Sequence, residues 1–318
     1  MMEKIVQTAK QAVNASVLSV KAEAQSTGEV LISLLMVGKM THRHEPHLSH
    51  IKNRWKSFLM LTVCNFCNRT SMTMSSLMPH TSAETTRESR HALLSGVGNK
   101  GISEMKAARI VLIGCGGVGQ AVAAMLGASG IGALTLVDAD KISATNLGRL
   151  PLMQPSDIGR SKADALKEAL LRNNPNLTVD CMTRAITSSL LPSPIANTDL
   201  IIDATDNWPT RKLLAQHCRA ARLPLVSGGA LAAEGWVGTF LPHSPPLESW
   251  LGQPRQTADS CEHVGVLAPL VAAIGSLMAM EALKVLWQRS SPAQWATLSG
   301  RILYFDGRYG DVRVQSLG

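Results

Sequence analysis

One hexapeptide constrains this chain more than any other stretch: Gly114-Cys115-Gly116-Gly117-Val118-Gly119. Residues 109–113 before it form a short apolar, β-branched run, and Val118, Val122, Met125 and Leu126 recur at helical spacing. A strand that turns through glycines directly into a helix is the dinucleotide-type phosphate loop. Gly114 permits the tight turn, Gly116 lets the backbone approach phosphates, and Gly119 lets the helix pack close to its strand. Gly117 belongs to the same cradle. Backbone N–H groups and the helix N-terminus then hold negative charge. The next apolar run, residues 133–137, ends in acids, and Asp138 falls where a carboxylate accepts hydrogen bonds from ribose hydroxyls. A purely structural glycine turn accounts for the loop but not for strand, helix, second strand and acid in this order. The loop does not name its nucleotide, and NAD is the ordinary occupant of such a fingerprint.

The alternation continues. Residues 158–173 read as a helix, 177–182 as a strand, 199–204 as a strand, 209–221 as a helix with proline in its first turn, and 223–227 as a strand. Strands alternating with helices predict an α/β fold of the Rossmann-like, doubly wound kind with a mostly parallel sheet. The later runs WVGTFLP, RILYFDG and DVRVQS add C-terminal antiparallel strands, and residues 269–287, apolar on most faces, predict a buried helix. With aromatic residues at 4%, the core must be built from aliphatic side chains and methionine.

Residues 1–85 read differently and are expected to be a poorly defined N-terminal extension, with 86–318 as the nucleotide-binding domain. Residues 1–24 suit one amphipathic helix, but no sustained periodicity follows. His42, His44, His47 and His50, with Cys64 and Cys67, invite a zinc reading. Pro46 and the lack of a second ligand pair at finger-like spacing argue against it. Translation starting at Met72, Met74 or Met78 is an alternative account of the region. No basic stretch with an apolar core and cleavage site opens the chain, and runs 30–37 and 58–63 fall short of the ~20 residues that span a bilayer. Six scattered cysteines suit reduced thiols. The formal charge of +8 comes without a dense basic run. The expectation is a cytoplasmic protein with no membrane or nucleic-acid partner.

Beyond the second strand, the residues disfavour hydride transfer. Asp140, Asn146 and Arg149 lie in DADKISATNLGRLPL, and Lys162 opens the next helix after IGRS. Cations converging on a nucleotide suit an enzyme that displaces pyrophosphate, because they stabilise charge as it develops on the phosphates. Asp206 and Asn207 follow the strand DLIIDA at the carboxyl edge of the sheet, where such folds bind ligands. A carboxylate at Asp206 suits Mg²⁺, which prefers carboxylate plus phosphate oxygens.

In combination, ESRHALLSGVGNKG, GCGGVG, LTLVDAD, TNLGR, IGRSKAD, ATDNWPTR, PLVSGGALAAEG and SCEHVGVLAPLVAAIGSLMAMEALKVL resemble the ubiquitin-activating-enzyme-like family that includes ThiF, MoeB and HesA. The resemblance covers roughly residues 87–318. It implies an adenylyltransferase that uses ATP to adenylate the C-terminal glycine carboxylate of a small ubiquitin-like sulfur-carrier protein, in thiamin- or molybdopterin-type biosynthesis. It further implies that Asp138 binds ribose, that Asn146, Arg149 and Lys162 contact the phosphates, and that Asp206 organises Mg²⁺. Arg90 matches an arginine that reaches the triphosphate from a neighbouring subunit, which implies a homodimer. Cys261 stands where such proteins carry a cysteine, which in some of them links covalently to the activated carrier. Its other reading is a small residue packed at a helix start. His263 beside it reads as a base or as a lone exposed histidine.

Two departures stand out. The family's paired Cys-x-x-Cys zinc ligands have no counterpart in LPHSPPLESWLG or at VQSLG, so no zinc site is expected, and 242–260 reads as a mobile crossover loop. Gly148 and Leu150 flank Arg149 where the family typically has glutamines, which is expected to loosen that arginine. Adenylation of another carboxylate, a non-catalytic partner retaining the fold, and an NAD-dependent oxidoreductase are the other readings.

Overall fold

A computed structural model of the chain describes residues 87–189, 197–247, 249, 264–292 and 294–317. The N-terminal histidine and cysteine clusters, Cys261 and His263 lie outside the described residues. Two short helices, α1 (Ser89–Ala92) and α2 (Gly98–Ala107), precede the first strand, β1 (Arg109–Ile113). Then come α3 (Gly117–Ser129), β2 (Ala133–Val137), a 3-10 turn at Ala144–Arg149, α4 (Lys162–Asn173), β3 (Thr178–Met182) and β4 (Leu200–Asp203). The chain continues through α5 (Trp208–Ala220), β5 (Leu225–Leu231), β6 (Glu234–Phe240), α6 (Ala268–Trp287), β7 (Arg301–Asp306) and β8 (Asp311–Ser316).

The eight strands form one sheet in the order β3-β2-β1-β4-β5-β6-β7-β8. The first five are parallel, and β5–β6, β6–β7 and β7–β8 are antiparallel. This is the doubly wound sheet with antiparallel additions that the sequence predicts. The reason lies in period-two burial: Ile110 and Leu112 of β1 enter one core, and Val111 and Ile113 enter the other. The first core gathers α3, α4 and α6, while Leu214, Ala215 and Cys218 of α5 pack against the opposite face.

α6 has the length and hydropathy of a membrane span, yet 67% of that apolar window is buried inside the fold. It lies against α3 so closely that a Cβ at Gly275 would stand 2.6 Å from Val118 O. Glu281, buried on the same helix, accepts from Thr239 Oγ1 at 2.6 Å and from Leu298 N at 2.7 Å, and pairs with Lys284.

Some boundaries differ from the sequence reading. The helix expected from residue 158 starts at Lys162, because Gly159 has φ +88° and Ser161 Oγ caps the first turn by accepting from Asp164 N. β5 runs on to Leu231 instead of stopping at Ser227, carrying Gly228 and Gly229 into a hairpin with β6.

Candidate active site

Sheet order reverses between β1 and β4, so the loops leaving their carboxyl ends diverge and open a crevice. A groove of about 770 Å³ lies there. It is lined by Gly114, Gly116 and Gly117 from the glycine loop, by Asp138 and Asp140 after β2, by Arg149 and Lys162, and by Asp206 and Asn207 after β4. Five separate segments thus bring nine of the sequence-predicted residues to one cleft.

Within the loop each glycine answers a different steric demand. Gly114 has φ +91°, and a Cβ on it would sit 2.7 Å from Ala204 O, so the turn presses against the end of β4. Gly116 is the N-cap of α3 and has nothing within 4 Å of where its Cβ would stand. That open space in front of a helix N-terminus is where a phosphate can meet backbone N–H groups. Gly117 admits the 3-10 turn, since its Cβ would lie 3.0 Å from Arg149 O. Gly119 does not line the groove. It is buried behind it, and a Cβ there would fall 1.8 Å from Gly114 O.

Asp138 is held before any ligand arrives. Its Oδ2 accepts from Cys115 N at 2.6 Å and its Oδ1 from Asp140 N at 2.7 Å. Burial raises its pKa above the ordinary aspartate value, and those two amide hydrogen bonds, with Lys162 nearby, oppose the rise. Lys162 Nζ reaches Asp140 Oδ2 at 2.8 Å, so an arriving phosphate would compete with Asp140 for that ammonium. Arg149 Nη1 donates to Thr145 O at 3.3 Å, and Leu150 beside it is buried, which anchors the turn where the flanking glutamines are missing.

Asp206 is exposed in the groove, and among the described residues no hydrogen bond or ion pair reaches its carboxylate. No cluster of three metal-ligating side chains occurs among the described residues. A single carboxylate facing a phosphate cradle fits Mg²⁺, which completes its shell from phosphates and water, better than a cation that needs an all-protein cage. Asn207 lines the groove and also caps α5, its Oδ1 accepting from Thr210 N at 3.0 Å.

Besides Gly119, two predicted residues are placed elsewhere. Asn146 is buried in a reciprocal cap with Ser143, whose N–H it accepts at 3.3 Å, and does not line the groove. It shapes the turn that carries Arg149. Arg90 is exposed on α1 and is not among the groove residues.

The sequence reading missed Arg211. This arginine is buried, lines the groove, and stacks on Trp236 with Cζ 4.8 Å from the ring centroid. Its signal was its place four residues after the helix cap Asn207, where a side chain leans back toward the N-terminus. Trp236, Arg184 and Tyr304 also line the groove. Among the described cysteines, burial pushes the Cys115 thiol well up, Cys181 to about 11 and Cys218 to about 12, so none offers a thiolate at neutral pH.

Comparison with known proteins identifies the family. The molybdopterin-synthase adenylyltransferase of Salmonella typhimurium is 36% identical over 162 residues, which are 50% of this chain and 63% of that protein. The chain thus spans less than two thirds of that relative's length. The SAMP-activating enzyme E1 of Haloferax volcanii is 31% identical over 222 residues, covering 69% of this chain and 80% of that one. Among solved structures, E. coli MccB with ATP superposes with a TM-score of 0.64 at 23% identity, covering 74% of this chain and 72% of that chain, a likeness of fold. Residues 88–317 match the ThiF family throughout, and the chain belongs to that family.

Proposed function

We propose that this chain is an adenylyltransferase that binds ATP in the groove and joins AMP to a carboxylate, releasing pyrophosphate. The observation that carries the reading is the convergence of the Gly116 cradle, Asp138, Arg149, Lys162 and Asp206 on one cleft at the sheet's switch point. A carboxylate oxygen attacks the α-phosphorus, the bond from that phosphorus to the bridging oxygen breaks, and pyrophosphate leaves with the electron pair. No general base is needed, because the carboxylate is already ionised at neutral pH. What remains is positioning and charge neutralisation. Asp138 orients the ribose, the α3 N-terminus holds the phosphates, and Arg149 and Lys162 neutralise the departing charge. Asp206 with phosphate oxygens would hold Mg²⁺, which supplies further neutralisation when bound.

The substrate we propose is the C-terminal carboxylate of a small ubiquitin-like sulfur carrier. The identity to a molybdopterin-synthase adenylyltransferase and to a SAMP-activating enzyme supports this class. A homodimer, a cytoplasmic location and a separate extension before about residue 85 belong to the same proposal, and a compact unit beginning at Ala83 supports the boundary. A second reading, adenylation of a different carboxylate, draws on the replacement of the glutamines beside Arg149 by Gly148 and Leu150.

Pyrophosphate exchange into ATP tests both. Exchange that depends on a sulfur carrier with a free C-terminal glycine is the expected result. Exchange with another carboxylate alone would select the second reading, and no exchange with either, together with tight NAD binding, would overturn the proposal. Loss of exchange in Asp206→Ala and Arg149→Ala is expected as well.

A further inference from the structure

Asp206 has no protein partner for its carboxylate among the described residues, so its position is inherited from its neighbours. Those neighbours are held on both sides. Thr205 donates twice to Asp203 Oδ1, from its amide at 3.0 Å and from its hydroxyl at 2.6 Å. Asn207 is fixed by its cap bond to Thr210 N. Asp203 is fully buried at the end of β4, and its other oxygen accepts from Ser227 Oγ at 2.7 Å.

Arg211 completes this arrangement and extends it across the groove. Its Nε faces Asp203 Oδ2 at 3.6 Å, and its Nη2 donates to Thr205 O and, at 3.2 Å, to Gly228 O. Its guanidinium plane stacks on Trp236 of β6. Gly229 makes room for the stack, since a Cβ there would lie 3.3 Å from Arg211 Nη2 and 3.4 Å from Trp236 Nε1. One side chain therefore ties the end of β4, the turn that carries Asp206, and the β5–β6 hairpin into a single unit. Stability alone does not account for it, because a buried ion pair seldom outperforms well-packed apolar side chains of equal volume.

We propose that Arg211 is a positioning residue that sets Asp206 against the phosphates and holds Trp236 as the facing wall. The proposal rests on the adenylation reading above. Only a planar fork can reach Asp203, Thr205 O and Gly228 O at once while stacking on an indole, so lysine keeps the charge and loses the geometry.

The test uses the full chain with Arg211→Lys. In nucleotide-free, metal-free protein, amide hydrogen exchange across residues 205–208 is expected to speed up while β1 and α6 stay protected. In pyrophosphate exchange, KM for ATP is expected to stay near the wild-type value, while kcat falls and Mg²⁺ half-saturation rises by about 10–100-fold, the usual effect of losing a group that orients a metal ligand. Unchanged kcat and half-saturation in a folded variant would overturn the proposal. So would protection lost evenly over the whole sheet, which marks a general structural role. Should Arg211→Lys not fold, Trp236→Leu removes the stacking ring and leaves the Asp203 pair. It is expected to loosen 205–208 locally, and unaltered protection there would refute the clamp. If wild-type protein catalyses no exchange with any carboxylate, the adenylation reading fails by itself, and the amide exchange still decides whether Arg211 fixes the turn.

Discussion

The loop glycines separate stability from binding in a way one pair of variants exposes. At Gly119 an added Cβ would sit 1.8 Å from Gly114 O and 2.8 Å from Gly114 C, whereas real Cβ contacts essentially never fall below 3.0 Å. The obstacle is backbone, so α3 must recede by about 1 Å from its own loop, and overpacking of this kind costs about 1–3 kcal/mol. For a unit of this size that lowers Tm by about 2–12 °C. At Gly116 the backbone has φ −68° and ψ −165°, which alanine adopts, and nothing lies within 4 Å of the new methyl. Gly116→Ala should therefore melt within about 2 °C of wild type, the gain in the unfolded state offsetting the weaker cap. Its methyl projects into the phosphate space and displaces a charge-assisted hydrogen bond of about 1.5–3 kcal/mol, which is roughly 10–100-fold in ATP affinity. Scanning calorimetry and titration calorimetry with ATP measure the two effects. A Gly119→Ala protein that melts with wild type, or a Gly116→Ala protein that binds ATP as tightly, would refute this assignment of roles.

Asp138 carries a pH signature. Burial raises its folded pKa, so its proton favours the fold at low pH and that contribution is lost as pH rises through the raised value. The ribose needs the ionised form as acceptor, so ATP affinity is expected to weaken on acidification before an ordinary aspartate would protonate. Asp138→Asn should bind weakly at neutral pH and lack this step, and a shared pH profile in the two proteins would count against the assignment. Glu281→Ala tests a buried contact of α6 that lies outside the groove. It strands the Leu298 N–H and the Thr239 hydroxyl, at about 1–3 kcal/mol for each buried donor, while ATP affinity stays unchanged because Glu281 does not line the groove. Urea unfolding measures the loss, and an unshifted midpoint would show that the donors find other partners.

Sequence patterns revealed β1, α3, β2 and Asp138 because a local code specifies them: alternating burial, then glycines at fixed offsets, then an acid. The strand expected at 223–227 stops short of Leu231, because paired glycines such as Gly228-Gly229 interrupt a strand pattern. In the fold these glycines instead admit neighbours, with Met278 Sδ 2.6 Å from where a Cβ at Gly228 would stand. The resemblance points Asn146 toward the phosphates, and in the fold its short polar side chain closes its own turn by accepting from Ser143 N. Arg211, the last residue of ATDNWPTR, is easily passed over for a different reason. An arginine on an amphipathic helix is ordinarily solvated, and this one is buried only because the β5–β6 hairpin, distant in sequence, closes over it.

The close packing of α3 on α6 also bears on how the chain is made. α3 ends at Ser129 and its covering helix begins only at Ala268. During synthesis, at about 5–20 residues per second, the helix behind the phosphate loop emerges many seconds before the surface that shields it. A nascent chain therefore presents the apolar side of α3 to chaperones and to other nascent chains until Ala268–Trp287 is translated, and any truncation upstream of Ala268 leaves that side permanently bare.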